Sequence, residues 1–224
     1  IKNCENKRKN PREGKYKKHP IIGVAKLIKK PQFSKELAEL VGIILGDGCI
    51  SKYQVAITLH SKDDKEYSQL VLNLIKKLFG VVASVYHWKK DLVIDLTVSR
   101  RELVKFCVGK LGLKQGDKVK QQVDIPDWIK ENKQYAIACA RGLVDTDGSV
   151  FIHRYRVNGK LYEYKKLSFT NHSRPLLQSV FNIFKNNKLN PRLSREREVR
   201  LDSVEDMRQY FKIFQPHNLK YLKK

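Results

Sequence analysis

No apolar run in this sequence approaches the roughly 20 residues a bilayer crossing needs. The longest near the first motif, residues 40–45, is bracketed by Glu39 and Asp47, so no membrane association is expected. Cysteine is sparse. Cys4, Cys49, Cys107 and Cys139 are scattered, with no CxxC pair and no His at zinc-ligand spacing. That argues against a structural zinc and for a reducing, intracellular compartment, cytoplasm or organelle matrix. The Lys-rich start is not followed by an apolar stretch of signal-peptide type, so no secretion signal is expected. Acidic residues are also short: 23 Asp and Glu stand against 46 Lys and Arg, leaving a formal charge of +23. A field of that sign suits a polyanion, and nucleic acid is the first candidate.

What is present includes 41% hydrophobic residues over 224 positions, enough for one large or two small cores. The dominant pattern is a repeat. Leu40-Val41-Gly42-Ile43-Ile44-Leu45-Gly46-Asp47-Gly48 returns 100 residues later as Ala140-Arg141-Gly142-Leu143-Val144-Asp145-Thr146-Asp147-Gly148. Each copy is an apolar run with Gly at its third position and Asp-Gly at its end. Asp47 and Asp147 are therefore equivalent. Asp145 is not part of that pair: it lies two residues earlier, roughly 200° around a helix, where the first copy has Leu45.

Residues 1–33 hold eleven Lys or Arg and two Glu, with three prolines, and read as a basic arm. Ser34 is an N-cap candidate for a helix to about residue 46, with Leu37, Leu40, Val41, Ile44 and Leu45 on one face. Residues 50–60 read as strands, with Val55, Ile57 and Leu59 alternating with polar neighbours. A helix is expected to open at Ser61, a hairpin to span 81–98 with its turn near Lys89-Lys90, and a helix to start with a capping box at Ser99. Residues 113–130 form a polar connector. The second half, 131–224, repeats the order after the first, 34–112: a motif helix over 134–146, a hairpin turning at Asn158-Gly159, a helix over 174–186, two strands over 192–202 and a helix from Ser203. The repeat extends to Ile57-Thr58-Leu59-His60-Ser61 and Phe169-Thr170-Asn171-His172-Ser173, each a strand running into a helix.

Gly42 and Gly46, four residues apart, leave a groove on one helix, and Gly142 and Thr146 do so on the other. If the motif helices pack through these grooves, Asp47 and Asp147 meet at their C-terminal ends. Each acid then sits at the negative pole of a helix and repels the other. A hard divalent cation resolves both conflicts, with Gly46 and Thr146 carbonyls as further oxygen ligands, and Mg²⁺ bridges readily to phosphate. Paired Asp on a basic chain points to metal-dependent phosphodiester hydrolysis.

The two motifs, the order of elements and the internal repeat resemble the LAGLIDADG homing endonucleases, in the form with two motifs on one chain. The resemblance covers the chain from Ser34 onward. It implies an α+β fold of two pseudo-symmetric αββαββα halves, each with a four-stranded antiparallel sheet, packed through the motif helices into a DNA-binding saddle. It implies a monomer that binds a long double-stranded DNA target and cuts both strands with Mg²⁺, bound by Asp47 and Asp147. The strand-end position that the family often fills with Gln or Lys corresponds here to His60 and His172. The Lys that completes each pocket corresponds to Lys118 and Lys220, with Lys114, Lys120 and Lys223 as competitors.

The sheet faces away from the core supply the DNA-contact candidates: Gln54, Thr58, Tyr86, Trp88, Lys90, Arg154, Arg156, Lys166, Ser168, Arg192, Arg195 and Arg197. Arg can pair bidentately with guanine and Gln with adenine, while others only touch phosphate. The rival readings are an RNA maturase that binds intron RNA, and a DNA-binding regulator that does not cut. An intein-borne enzyme is a remoter alternative. His217-Asn218 resembles an intein end, but Leu219 stands where Cys, Ser or Thr would be needed.

Overall fold

The computed structural model describes residues 27–88, 92–218 and 220. Most of the basic arm, the turn at Lys89-Lys90 and Lys223 lie outside the described residues. Of the arm, residues 27–33 follow the surface: the Lys29 amide donates to the Phe79 carbonyl (2.9 Å), and the Phe33 ring stacks on Trp128 with centroids 4.1 Å apart.

Helix α1 (Lys35–Gly46) starts where Ser34 accepts a hydrogen bond from the Leu37 amide, satisfying one of the orphan donors of the first turn. Then come β1 (Gly48–Ile50), β2 (Val55–His60), α2 (Lys65–Phe79), β3 (Ser84–His87), β4 (Val93–Val98) and α3 (Arg101–Gly109). The connector holds a single short helix, α4 (Asp127–Lys130). The second half follows as α5 (Lys133–Asp147), β5 (Gly148–Val157), β6 (Lys160–Thr170), α6 (Arg174–Asn186), β7 (Arg192–Ser194), β8 (Glu198–Leu201) and α7 (Val204–Phe214). The two antiparallel sheets have matching orders, β1-β2-β4-β3 and β5-β6-β8-β7. Gly48 pairs with Ile57 and Gly148 with Phe169, so the two registers coincide as well.

Period-2 alternation sets the inner faces. Val55, Ile57, Leu59, Ile94, Leu96 and Val98 point into the first core, and Val150, Leu167, Phe169, Val199 and Leu201 into the second. Helix α1 departs from the one-face expectation, because residues 37–45 are all buried. It lies against α2, β1, β2 and α5 together, so no side is left for water.

Three helix starts differ from expectation. Helix α2 begins at Lys65, because Asp64 Oδ2 accepts from the His60 amide and the His60 carbonyl accepts from the Asp64 amide, which closes residues 61–64 into a turn. Arg100, in extended conformation, is the N-cap of α3 and offers no side-chain cap, while the Ser99 hydroxyl donates to Gln54 Oε1. Helix α5 begins one residue early, where Asn132 Oδ1 accepts from the Gln134 and Tyr135 amides.

Hairpin β5–β6 is much the longer of the two leading hairpins. Its register runs from Gly148↔Phe169 to Val157↔Lys160, but β8 covers only residues 167–170 of β6. The remainder projects as a two-stranded arm, closed by Asn158 and Gly159, both at positive φ (49° and 76°), as a type I′ turn requires.

Candidate active site

Helices α1 and α5 approach until their backbones touch. A Cβ on Gly42 would be driven into the carbonyl oxygen of Cys139, and one on Gly142 into the carbonyl oxygen of Glu39. The two contacts are related by the 100-residue repeat, since Cys139 is the counterpart of Glu39. Further along, a Cβ on Gly46 would collide with the Thr146 hydroxyl, which donates to the Gly142 and Leu143 carbonyls (3.0 and 2.9 Å). This crossing brings the C-terminal ends of both helices together.

Asp47 is the C-cap of α1 and Asp147 the last residue of α5. Both are partly buried. Burial is the largest influence on Asp47, and repulsion from Asp147 adds to it, so that the carboxyl is raised to about 7 although Lys118 and Lys220 oppose the shift. Burial also raises Asp147, against Lys118 and a hydrogen bond from Asn171. The Asn171 amide donates to Asp147 Oδ2 at 3.0 Å. Its counterpart in the first half is Leu59, which cannot donate. The sequence signal for Asn171 was this break in an otherwise repeated segment, and only the hydrogen bond gives it meaning.

The two pocket lysines reach the ends of different motif helices. Lys118 Nζ donates to the carbonyls of Ile44 (3.3 Å), Leu45 (2.8 Å) and Gly46, the last turn of α1. Lys220 Nζ donates to the Thr146 carbonyl (3.3 Å) in the last turn of α5 and lies 3.5 Å from Asp64 Oδ1. Gly46 O and Thr146 O, expected as metal ligands, are thus equivalent lysine acceptors. Burial lowers the Lys118 ammonium while both acids hold it up. Each ammonium also neutralises the negative pole of a motif helix.

Neither histidine hydrogen-bonds or ion-pairs with Asp47 or Asp147. His60 Nδ1 accepts from the Asp63 amide (3.1 Å) and lies 3.3 Å from its carboxylate, within the turn before α2. His172 is exposed, and its carbonyl accepts from Gln122 Nε2 (3.3 Å). Asp145 does face elsewhere, and is fully buried.

Strand register divides the DNA-contact candidates. Arg154 and Arg156 pair with Glu163 and Leu161, whereas Lys166 and Ser168 pair with Phe151 and Ser149. The two arginines therefore lie on the face opposite Lys166 and Ser168. Because the register pairs even positions on β5 with odd ones on β6, the four cannot share a face. Ser168 is only 5% exposed. Thr58 Oγ1 (2.6 Å) and Trp88 Nε1 (2.8 Å) both donate to Asp95, and Lys166 and Arg192 both pair with Asp202 (3.1 and 2.9 Å). Sequence reading missed Asp95 and Asp202, acids that orient their neighbours on a basic face. Gln54 is partly buried, Tyr86 packs edge-on to Trp88, Arg195 and Arg197 are exposed in the β7–β8 turn, and Lys90 lies outside the described residues.

Residues 34–108, the first half through most of α3, match a family model described as a LAGLIDADG-like domain. The fold is that of the LAGLIDADG family. Among solved structures with this LAGLIDADG fold, I-DmoI in complex with DNA and Ca is 22% identical, covering 82% of this chain and 91% of its own, with a TM-score of 0.53. The N-terminal LAGLIDADG domain of DUF199/WhiA is 18% identical, covering 82% and 83%, with a TM-score of 0.55. The Replication factor C small subunit of Methanocaldococcus jannaschii is 33% identical over 129 residues, which is 57% of this chain and 7% of that protein. The chain thus spans a small fraction of the curated relative it matches. Among the described residues, no helix is long and apolar enough to cross a membrane.

The donor set suits a hard divalent cation. Two carboxylates and neighbouring carbonyls supply oxygen only, and both carboxyls are pushed above their ordinary value, chiefly by burial, with repulsion from Asp147 adding to it at Asp47.

Proposed function

We propose that this protein is a site-specific DNA endonuclease that hydrolyses both strands of a long duplex target with a divalent metal, Mg²⁺ in the first instance, and acts as a monomer inside the cell. The observation that carries this reading is the pairing of Asp47 with Asp147 where two backbone-packed helices end, with a lysine at each helix end, Lys118 from the connector and Lys220 from the second half. Asp47 and Asp147 would hold the metal, which supplies activation of water and stabilisation of charge on the phosphate and leaving oxygen. Lys118 and Lys220 place fixed positive charge beside the same position, where charge gathers during hydrolysis. Asn171 holds the Asp147 carboxylate in one orientation. The outer sheet faces, with Arg, Lys, Tyr and Trp, bind and read the duplex. The DNA complex of I-DmoI and its Ca support both the partner and the class of ion.

DNA binding without cutting, on the same fold, is the second reading. The acid pair favours cutting. Two enclosed, mutually repelling carboxylates destabilise a protein that only binds, and serve it no purpose.

The deciding experiment is cleavage selection on a randomised duplex library, with Mg²⁺ and with EDTA. One long motif with a fixed stagger, cut only with Mg²⁺, is the expected result. Tight duplex binding without breaks would establish the second reading, and preference for structured RNA a maturase.

A further inference from the structure

Lys118 and Lys220 occupy equivalent places but are held by different means. Lys118 sits in a loop where Asp117 Oδ1 accepts from the amides of Val119 (2.9 Å) and Lys120 (3.1 Å), and the Gly116 amide donates to the Ile50 carbonyl of β1 (3.0 Å). Lys220 comes after α7, in a segment without a strand or an α-helix of its own, and the bonds that hold it reach into both halves.

Asn218 is at the centre of those bonds. It is 1% exposed. Its Nδ2 donates to Asp64 Oδ1 (2.7 Å), in the first half, and to the Asp145 carbonyl (2.9 Å), in the second. Its Oδ1 accepts from the Lys220 amide at 3.1 Å. One residue earlier, the His217 amide donates to Asp145 Oδ2 (2.9 Å), and its ring Nδ1 donates to Glu39 Oε1 (2.6 Å), whose other oxygen pairs with Arg141 (2.6 Å). A buried asparagine satisfied on both its nitrogen and its oxygen is a fixed geometric device, because releasing it would leave buried polar groups unpaired.

We propose that Asn218 is a positioning residue: with His217 it latches residues 216–218 onto both halves and, through its bond to the Lys220 amide, sets Lys220 Nζ at the end of α5. This rests on the endonuclease reading for its consequence, though not for the contact itself. The Lys118 loop is tied by other residues, among them Gln122, whose Nε2 donates to the Val119 (2.7 Å) and His172 (3.3 Å) carbonyls and whose Oε1 accepts from the Arg174 amide (3.0 Å), and none of these contacts involves Asn218. Loss of Asn218 therefore disables one of the two pockets and leaves Lys118 in place. The expected enzyme is a nickase.

Two readouts test this in the full chain. Lysine acetylation followed by mass spectrometry needs no cleavage: in Asn218→Ala, labelling of Lys220 rises about tenfold while that of Lys118 stays as in wild type. An unchanged Lys220 rate overturns the proposal. On a target the wild type cuts, Asn218→Ala slows one strand by about tenfold to a hundredfold, so that nicked duplex accumulates. It adds nothing further in a Lys220→Met background. Equal slowing of both strands also overturns the proposal, since general loosening does that. Should Asn218→Ala fail to fold, Asn218→Ser, which is smaller but still polar, is read in the same way. A wild type that cuts nothing, with Lys220 freed by Asn218→Ala, overturns the endonuclease reading and leaves the latch standing.

Discussion

Asp47 is where function and stability pull apart. Its carboxyl titrates near 7 in the folded chain against an ordinary 3.8, chiefly through burial and then through Asp147. Folding therefore favours the protonated form. The metal-free protein gains stability as pH falls from about 7 towards 4, the reverse of a salt-bridged carboxylate, and loses it as pH rises through 7. Asp47→Asn removes the conflict. It is expected to abolish cleavage, leave DNA binding intact and stabilise the metal-free protein by on the order of 2 kcal/mol, less than the full shift because the site is partly open to solvent. At about 2–4 °C per kcal/mol, thermal unfolding resolves that gain. A lower melting temperature would contradict this electrostatic account. Metal affinity moves the other way with pH: calorimetric titration across pH 6 to 8, as roughly the range around that value, should show binding weaken as Asp47 takes up its proton. At this scale the sequence made the acids legible, because they repeat. It did not make Asn171 or Asn218 legible, since a single amide among polar residues gains meaning only from what it touches.

Helices α1 and α5 are matched by absence of side chains. Gly42 faces a backbone carbonyl, which cannot rotate away as a side chain would. Gly42→Ala is therefore expected to cost about 3 kcal/mol or more, at the upper end of overpacking effects, measured by urea unfolding, with cleavage of both strands falling together. An Ala at exposed Gly109, where a Cβ meets nothing, is the matched control. Most elements were readable from periodicity and caps, and the Asn158-Gly159 turn from its residue types alone. Strand parity was harder. Arg154 and Lys166 look alike in a basic sequence, and only the register shows them on opposite faces. The helix expected from Ser61 failed for a related reason: His60, Asp63 and Asp64 bond among themselves, and such local bonds compete with the first turn.

Over the whole molecule, the two halves share a topology but not a reach. The β5–β6 arm extends about 20 Å past its sheet at ~3.3 Å per residue, whereas β1–β2 pairs over three positions. Tyr155 stacks on Tyr162 and Tyr164, with centroids 5.4 and 5.8 Å apart, and His153 lies beside it, so the arm is stiffened by rings along one face. A nuclease footprint should therefore extend further from the cut on one side. Replacing residues 154–161 with a two-residue turn should shorten that side alone. A symmetric footprint in the wild type would mean that the arm does not lie along the DNA. The charge that made nucleic acid the first candidate says nothing of this asymmetry, because it is a property of chain length between two turns.

The contacts of Gly42 with Cys139 and of Gly142 with Glu39 also work as a gauge. With carbonyl against Cα on both helices, the spacing of the two acids has no compliant layer in it, so it cannot stretch to suit one target or shrink to suit another. On the proposed reaction, the overhang left by cutting becomes a fixed length of the protein, not a property of the DNA. Targets could diverge base by base under the reading faces, and the ends would still come away identical.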